Sequence, residues 1–246
     1  MRVSMVVPVR NQADHIETVV AGYSRALTGV SHELLLVVNG SRDDSLNACR
    51  RAAAAAEAGS ISVIESRPGW GSAVLAGLRA GTGDILGYTN SARTAPGDLR
   101  LGVDLACSDV AASVLVKATR RYRKSMVRRA GSLLFNLEAR LLLGLMTWDV
   151  NGTPKLFSRA IYRQLALSEQ GDLLDVEVMA ACERHGVRIV GFDTDQTSRA
   201  GGRSSTSLLS AMKLYVACAR LARRADPDRA RSRPGGWEGL PRSSGE

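Results

Sequence analysis

The first hundred residues predict an α/β fold built on a parallel sheet, and three observations carry that prediction. One unit, an apolar strand followed by a polar turn and a helical run, recurs three times in succession. Its strands are apolar almost throughout rather than alternating, as in strands buried on both faces. The strands also alternate with helix-length segments, which implies a sheet with helices on both faces.

The elements follow in order. Val3 to Pro8 is the first strand; it breaks at Val9-Arg10-Asn11-Gln12 and a helical pattern begins near Ala13. Glu33 to Val38 is the second, ending in Asn39-Gly40-Ser41 with a helix near Asp43. The alanine-rich run Ala52 to Ala58 continues that helix, because alanine is the best helix former. Ile61 to Glu65 is the third strand, followed by Arg67-Pro68-Gly69-Trp70-Gly71 and a helix to about Ala80. A fourth, Asp84 to Tyr88, breaks at Thr89-Asn90-Ser91. Ser108 to Lys117 reads as a strand and Lys124 to Leu145 as a long helix. Trp148 to Phe157 is a turn leading into a short extended piece. Asp172 to His185 is helical, with Gly186 at its stop, and Val187 to Phe192 is a strand. Arg199 to Ser205 is a glycine-containing loop, and Leu208 to Arg223 is an amphipathic helix with a basic end. From Asp226 the composition of Pro, Gly, Arg and Ser predicts disorder. The expected organisation is one domain over residues 1–224 and a basic, Gly- and Pro-rich tail over 225–246. In sheets of this kind ligands bind beyond the carboxyl ends of the strands, where the polar turns lie.

Composition narrows the class. A chain of 246 residues suits a single α/β domain, and a hydrophobic content of 45% is enough for its core. The formal net charge of +9 favours an anionic partner: nucleic acid, anionic lipid or a phosphorylated substrate. The positive charge concentrates in Lys117 to Arg129 and in Arg220 to Arg233. The first cluster lacks interleaved aromatics apart from Tyr122, and no nucleic-acid motif accompanies it, so nucleic acid is not the expected partner. Cys49, Cys107, Cys182 and Cys218 have no metal-ligand spacing and read as reduced thiols of a cytoplasmic protein. No signal peptide is expected ahead of the first strand, and no apolar run approaches the roughly 18–20 residues needed to span a bilayer.

Single turns do not name a reaction. Gly69-Trp70-Gly71 at a helix start could cradle a phosphate, or it could be a plain tight turn. Asn39-Gly40-Ser41 before Asp43-Asp44 could be an N-capping turn. Together and in this order, however, the motifs resemble the family-2 inverting glycosyltransferases of GT-A fold, in the branch of the dolichol- and polyprenyl-phosphate mannosyltransferases. The resemblance covers roughly residues 3 to 215. Val6-Val7-Pro8-Val9-Arg10-Asn11-Gln12 resembles the opening strand and its Pro-x-x-Asn-Glu turn. Val37-Val38-Asn39-Gly40-Ser41-Arg42-Asp43 is similar to the second-strand motif ending Asp-Gly-Ser-x-Asp. Gly69-Trp70-Gly71-Ser72-Ala73 resembles a Gly-Lys-Gly-x-Ala helix start, and Pro96-Gly97-Asp98-Leu99 the element after the metal motif. Asp149 to Arg159 looks like the acceptor-side element, Asp175-Val176-Glu177 like the later Asp-x-Glu helix, and Arg199 to Ser204 like the Arg-x-Gly-Gly-x-Ser loop.

The departures from that pattern are all in charge. The family's Asp-x-Asp, its Mg²⁺ or Mn²⁺ site, should fall at Thr89-Asn90-Ser91, where no carboxylate remains, and neutral oxygens make a poor site for a divalent cation. The second-strand acids are Val38 and Asn39, the Glu of the opening turn is Gln12, and the lysine between the glycines is Trp70. Two readings stay open. In one, a nucleotide-diphosphate sugar is still bound and arginines replace the metal, with Arg93, Arg120, Arg123, Arg128 and Arg129 as candidates, since guanidinium groups bind phosphate bidentately. In the other, the chain is a degenerate homologue or partner subunit that binds without turnover.

The resemblance implies an inverting displacement at the anomeric carbon, in which the chief electrostatic demand is charge on the departing diphosphate. Asp149 is the preferred catalytic residue, with Asp175 and Glu177 next; a carboxylate is needed as base only if the acceptor is a hydroxyl. Pro8, Arg10, Gln12, Asn39, Gly69, Gly71, Asn90, Ser91 and Arg93 are the expected donor-binding residues. Lys155, Arg199, Arg203 and Ser204 join the arginine cluster as expected phosphate- or acceptor-binding residues. The acceptor is a lipid phosphate or a soluble molecule. The Leu208 to Arg223 helix leaves peripheral contact with the inner face of a membrane open beside plain packing.

Overall fold

The structure is a computed structural model that describes residues 1–56, 60–108, 113–120 and 149–194. The expected helices at 124–145 and 208–223, the loop at 199–205 and the tail at 225–246 lie outside the described residues. Strands β1 (Val3–Val9), β2 (His32–Asn39), β3 (Ile61–Ser66) and β4 (Ile85–Tyr88) pair in parallel in the order β3-β2-β1-β4. The sheet continues through β6 (Lys155–Ser158), β5 (Val114–Arg120) and β7 (Arg188–Thr194) to give seven strands. β6 is antiparallel to both β4 and β5, whereas β5 and β7 are parallel. The sheet is therefore mostly parallel, with one reversed strand that the strand–helix alternation of the first hundred residues does not foreshadow.

Among the described residues the helices are α1 (Ile16–Ala26), α2 (Ser45–Ala54), α3 (Trp70–Ala80), α4 (Pro96–Cys107), α5 (Arg159–Leu165) and α6 (Leu174–Arg184). Helix α4 is not apparent from the motif Pro96 to Leu99 alone. Proline is favourable in a first helical turn, where its missing N–H is no loss, and Leu99, Val103 and Ala106 then fall on one buried face. The strand expected at 108–117 is displaced, because Ser108 closes α4 with its N–H and hydroxyl on the Leu105 carbonyl. The strand starts at Val114 and runs on to Arg120. Helix α5 follows β6 directly, with the Ser158 hydroxyl accepting from the Ile161 N–H at 3.3 Å.

Two cores cover the two faces. On one, Ile16, Val20 and Tyr23 of α1, Ala48 and Cys49 of α2, and Leu99 and Val103 of α4 pack on alternate strand residues. On the other, Val74 and Leu78 of α3 and Val176, Met179 and Ala180 of α6 do so. At the amino edge of the sheet, buried Glu33 accepts from the Ser4 hydroxyl at 2.6 Å and from the Thr82 N–H and hydroxyl at 2.7 and 2.8 Å. Strand β1 sits between β2 and β4, and the chain leaves it through α1 on one face but reaches β4 from α3 on the other. The strand order thus reverses between β1 and β4. The crevice beyond their carboxyl ends is the topological switch point at which open α/β sheets bind ligands.

Candidate active site

The turns after β1 and β2 are sewn together by side chain to backbone hydrogen bonds. The Asn11 N–H donates to Ser41 Oγ at 3.1 Å, and the Arg42 N–H returns to Asn11 Oδ1 at 2.8 Å. Asn11 has φ of 51°, in the left-handed region that asparagine tolerates better than most residues. The Gln12 N–H donates to Ser45 Oγ at 2.8 Å, and the Ala13 N–H to Asp43 Oδ2 at 3.1 Å. Asp43 also accepts from the Ser45 N–H and hydroxyl. Burial pushes its carboxyl up, but the Ser45 hydroxyl and the Ala13 and Ser45 N–H groups outweigh that and hold it below the ordinary value. Asp43 therefore locks the turn as an anion. Arg10 stays exposed at this rim. A cleft of about 350 Å³ opens beside α2, lined by Val38, Ser41, Asp43, Asn47, Glu65 and Ser66 among others.

Across the switch point, Ser91 is buried and its hydroxyl donates to Gln12 Oε1 at 2.6 Å, with the Pro8 carbonyl at 3.4 Å. Asn90 is turned on its own loop: its Oδ1 accepts from the Ala92 N–H, and its carbonyl accepts from the N–H groups of Arg93 and Thr94. Thr89 is buried, and its N–H extends the β1–β4 ladder onto the Val6 carbonyl. Three neutral oxygens, two already hydrogen-bonded within the protein, do not fit a Mg²⁺ or Mn²⁺ site, which wants anionic oxygen ligands. Among the described residues no group of three or more His, Cys, Asp or Glu side chains could hold a metal ion.

The amino end of α3 is already occupied. Its Gly71 and Ser72 N–H groups donate to the Gly171 and Gln170 carbonyls at 3.0 and 2.9 Å. A Cβ on Gly71 would lie 2.2 Å from the Glu169 carbonyl, and one on Gly69 would lie 2.6 Å from that of Gln170. The two glycines thus serve close approach of the 169–171 loop, which favours the tight-turn alternative, since the Gly71 and Ser72 N–H groups that a phosphate would use are taken by backbone. Asn39, buried at the end of β2, donates from Nδ2 to the Gly69 carbonyl at 3.1 Å. Glu177 secures the same loop: its carboxylate accepts from the Ser168 N–H and hydroxyl and from the Glu169 N–H at 2.8–3.1 Å.

Asp175 is the centre of a buried network. It accepts from the Tyr88 hydroxyl at 2.8 Å and the Trp70 indole N–H at 3.1 Å, and it forms an ion pair with Lys155. Lys155 is fully buried, neither a surface residue nor one that faces open solvent. Its ammonium lies 5.4 Å from the Tyr88 ring centre, a cation–π distance. Burial, and then the Asp175 carboxylate, raise the Tyr88 hydroxyl well above its ordinary value, so it remains a donor. Register explains the meeting: Tyr88 at the end of β4 pairs with Lys155 at the start of β6, and Lys155 pairs with Lys117 of β5. Lys117 is buried too and donates to Thr119 Oγ1 at 3.3 Å. Asp149 introduces the segment that leads to β6; it is 9% exposed, has φ of 53°, and its carbonyl accepts from the Gly152 N–H at 2.9 Å. Arg93 is half-buried, and Arg120 ends β5. Arg123, Arg128, Arg129, Arg199, Arg203 and Ser204 lie outside the described residues. Tyr88 and Trp70 escape a sequence search because one reads as a core residue and the other as a lost lysine; the apolar flanks of Lys155 were the available signal that it is buried.

Seven strands in this order, with polar turns gathered at the switch point, define the GT-A glycosyltransferase architecture. The chain belongs to glycosyl transferase family 2, whose model matches residues 4–166. Uncharacterized glycosyltransferases of Mycobacterium tuberculosis and Mycobacterium bovis are 28% identical over 211 residues, covering 83% of this chain and 89% of theirs. Among solved structures, glucosyl-3-phosphoglycerate synthase from Mycobacterium tuberculosis with Mn²⁺, UDP-glucose and phosphoglyceric acid is similar, with a TM-score of 0.68 and 19% identity. That match covers 91% of this chain and 79% of the other. The same enzyme with Mg²⁺ and UDP gives a TM-score of 0.67 at 20% identity, covering 90% and 79%. No helix among the described residues is long and apolar enough to cross a membrane.

Proposed function

We propose that this glycosyltransferase moves a hexose from a nucleoside-diphosphate sugar to a small acceptor by a single inverting displacement, without a divalent metal. The observation that carries the reading is the contact between elements that the resemblance assigns to the donor and acceptor sides. Trp70 of the glycine turn, Tyr88 of β4 and Lys155 of the Asp149–Arg159 segment all converge on Asp175. The similar synthase structures contain UDP-glucose and phosphoglyceric acid with Mn²⁺, which supports a nucleotide-sugar donor and a small acid as one acceptor class. A polyprenyl phosphate is the other, from the resemblance to the lipid-phosphate branch. With its carboxylate engaged by Lys155, Trp70 and Tyr88, Asp175 is a positioning residue, and Glu177 holds the 168–171 loop. Asp149 remains the catalytic carboxylate, to take the proton of a hydroxyl acceptor; an acceptor that is already an anion needs no base. Arg10 and Arg93 at the rim carry charge toward the departing diphosphate.

The carboxylate-free turn at 89–91 also supports a second reading, a homologue that binds the donor without turnover. One experiment separates them: donor binding and hydrolysis against UDP-, GDP- and dTDP-sugars, each with Mn²⁺ and with EDTA, for the wild type and Asp149→Asn. Asparagine suits the left-handed backbone at this position, so the variant keeps the fold. The enzyme reading expects turnover that survives EDTA and falls at least ~100-fold in Asp149→Asn, the usual worth of acid–base assistance. Binding without turnover in either protein establishes the second reading, and turnover lost in EDTA overturns metal independence.

A further inference from the structure

The hydrogen bond between Ser91 and Gln12 fixes more than two side chains. Its length of 2.6 Å is ordinary for O–H···O and short for N–H···O, so the oxygen of the Gln12 amide faces the serine hydroxyl. The amide nitrogen is then the outward end of a side chain that is half-exposed, and its N–H groups have no partner among the described residues. The Gln12 backbone is held as well, its N–H by Ser45 Oγ and its carbonyl by the N–H groups of His15 and Ile16. A pre-oriented pair of N–H donors thus sits at the β1–β4 switch point, where an open α/β sheet receives its ligand. The neighbouring positions 89–91 do not fit a metal ion, so an anion arriving here meets protein donors directly.

We propose that the side-chain amide of Gln12 donates directly to a phosphoryl oxygen of the donor diphosphate, with Ser91 as the residue that aims it. This rests on the reading of the chain as a nucleotide-sugar transferase. Gln12→Glu is the informative variant. Its carboxylate can still accept from Ser91, so the fold is kept, but an anionic oxygen replaces the N–H donors. Ser91→Ala leaves the amide in place and removes only its anchor.

The test is calorimetric titration of UDP, GDP and dTDP into the wild type, Gln12→Glu and Ser91→Ala in EDTA, with melting temperatures to check folding. Hydrogen bonds to charged groups are worth enough that Gln12→Glu should weaken the preferred nucleotide at least ~tenfold, and Ser91→Ala by a smaller factor. A folded Gln12→Glu protein that binds the nucleotide as tightly as the wild type overturns the proposal while leaving the transferase reading intact. A wild type that binds none of the three overturns the transferase reading and this proposal with it.

Discussion

Lys155 and Asp175 illustrate how a buried charge is tolerated only as part of a set. Desolvating both ions costs several kcal/mol each, and their attraction offsets this only when the remaining hydrogen-bond capacity is also used. Here Tyr88 and Trp70 donate to the same carboxylate, and the aromatic face of Tyr88 lies near the ammonium. Removing one partner strands the other. Lys155→Met is therefore expected to destabilise the fold by about 3–5 kcal/mol, whereas Lys155→Met with Asp175→Asn should lose less than the sum of the two single changes by at least ~1 kcal/mol. Urea unfolding of the four proteins measures both quantities, and strict additivity would mean that the pair is not coupled. The sequence offered Asp175 and Lys155 as separate site candidates. It could not show that they neutralise each other, because a helix and a loop separate them in the chain and a strand reversal brings them together.

Among the elements, α3 and the 168–171 loop depend on one another. The helix lends its first N–H groups to the loop carbonyls, the loop needs Gly69 and Gly71 to come that close, and Glu177 of α6 holds the loop from behind. Gly71→Ala would place a methyl 2.2 Å from a backbone carbonyl; the loop must move, and a loss of about 1–3 kcal/mol is expected, as in overpacked cores. Gly97 in α4 is the contrasting case, since a Cβ added there would meet nothing within 4 Å. Gly97→Ala should raise stability by about 0.5–1 kcal/mol by lowering the entropy of the unfolded chain. Thermal or urea denaturation of the two variants should thus show shifts of opposite sign. The glycine turn was visible in the sequence as a helix start. Its partner was not, since a phosphate and a backbone carbonyl ask for the same N–H groups and the same missing Cβ.

Across the molecule as a whole, Glu33 ties β1, β2 and the residues before β4 together at the edge of the sheet remote from the site. Burial raises its carboxyl, but the Ser4 hydroxyl, the Thr82 N–H and hydroxyl, and Arg2 outweigh burial and hold it below the ordinary value. A depressed folded value means that the stabilisation is present above the unfolded carboxylate value, about 4.3, and is lost as pH falls through the lower folded value. Urea midpoints should fall on acidification for the wild type. Glu33→Gln should already be weaker by about 1–3 kcal/mol at pH 7 and should show a flatter pH profile; parallel profiles would remove Glu33 as a source of acid lability. Strands β1 to β4, their parallel pairing and the turns at their carboxyl ends were legible in the amino-acid order, because continuous apolar runs and turn residues are local signals. So was the absence of acidic side chains at Gln12, Asn39 and 89–91, where the resemblance implies them. Three-dimensional packing was needed to reveal that β6 runs antiparallel, that Ser91 bonds Gln12, that loop carbonyls take the Gly71 and Ser72 N–H groups of α3, and that Asp175 is committed to Lys155. Each of these depends on which distant segments meet, and hydrogen-bond partners far apart in the chain leave no periodicity for a sequence to reveal.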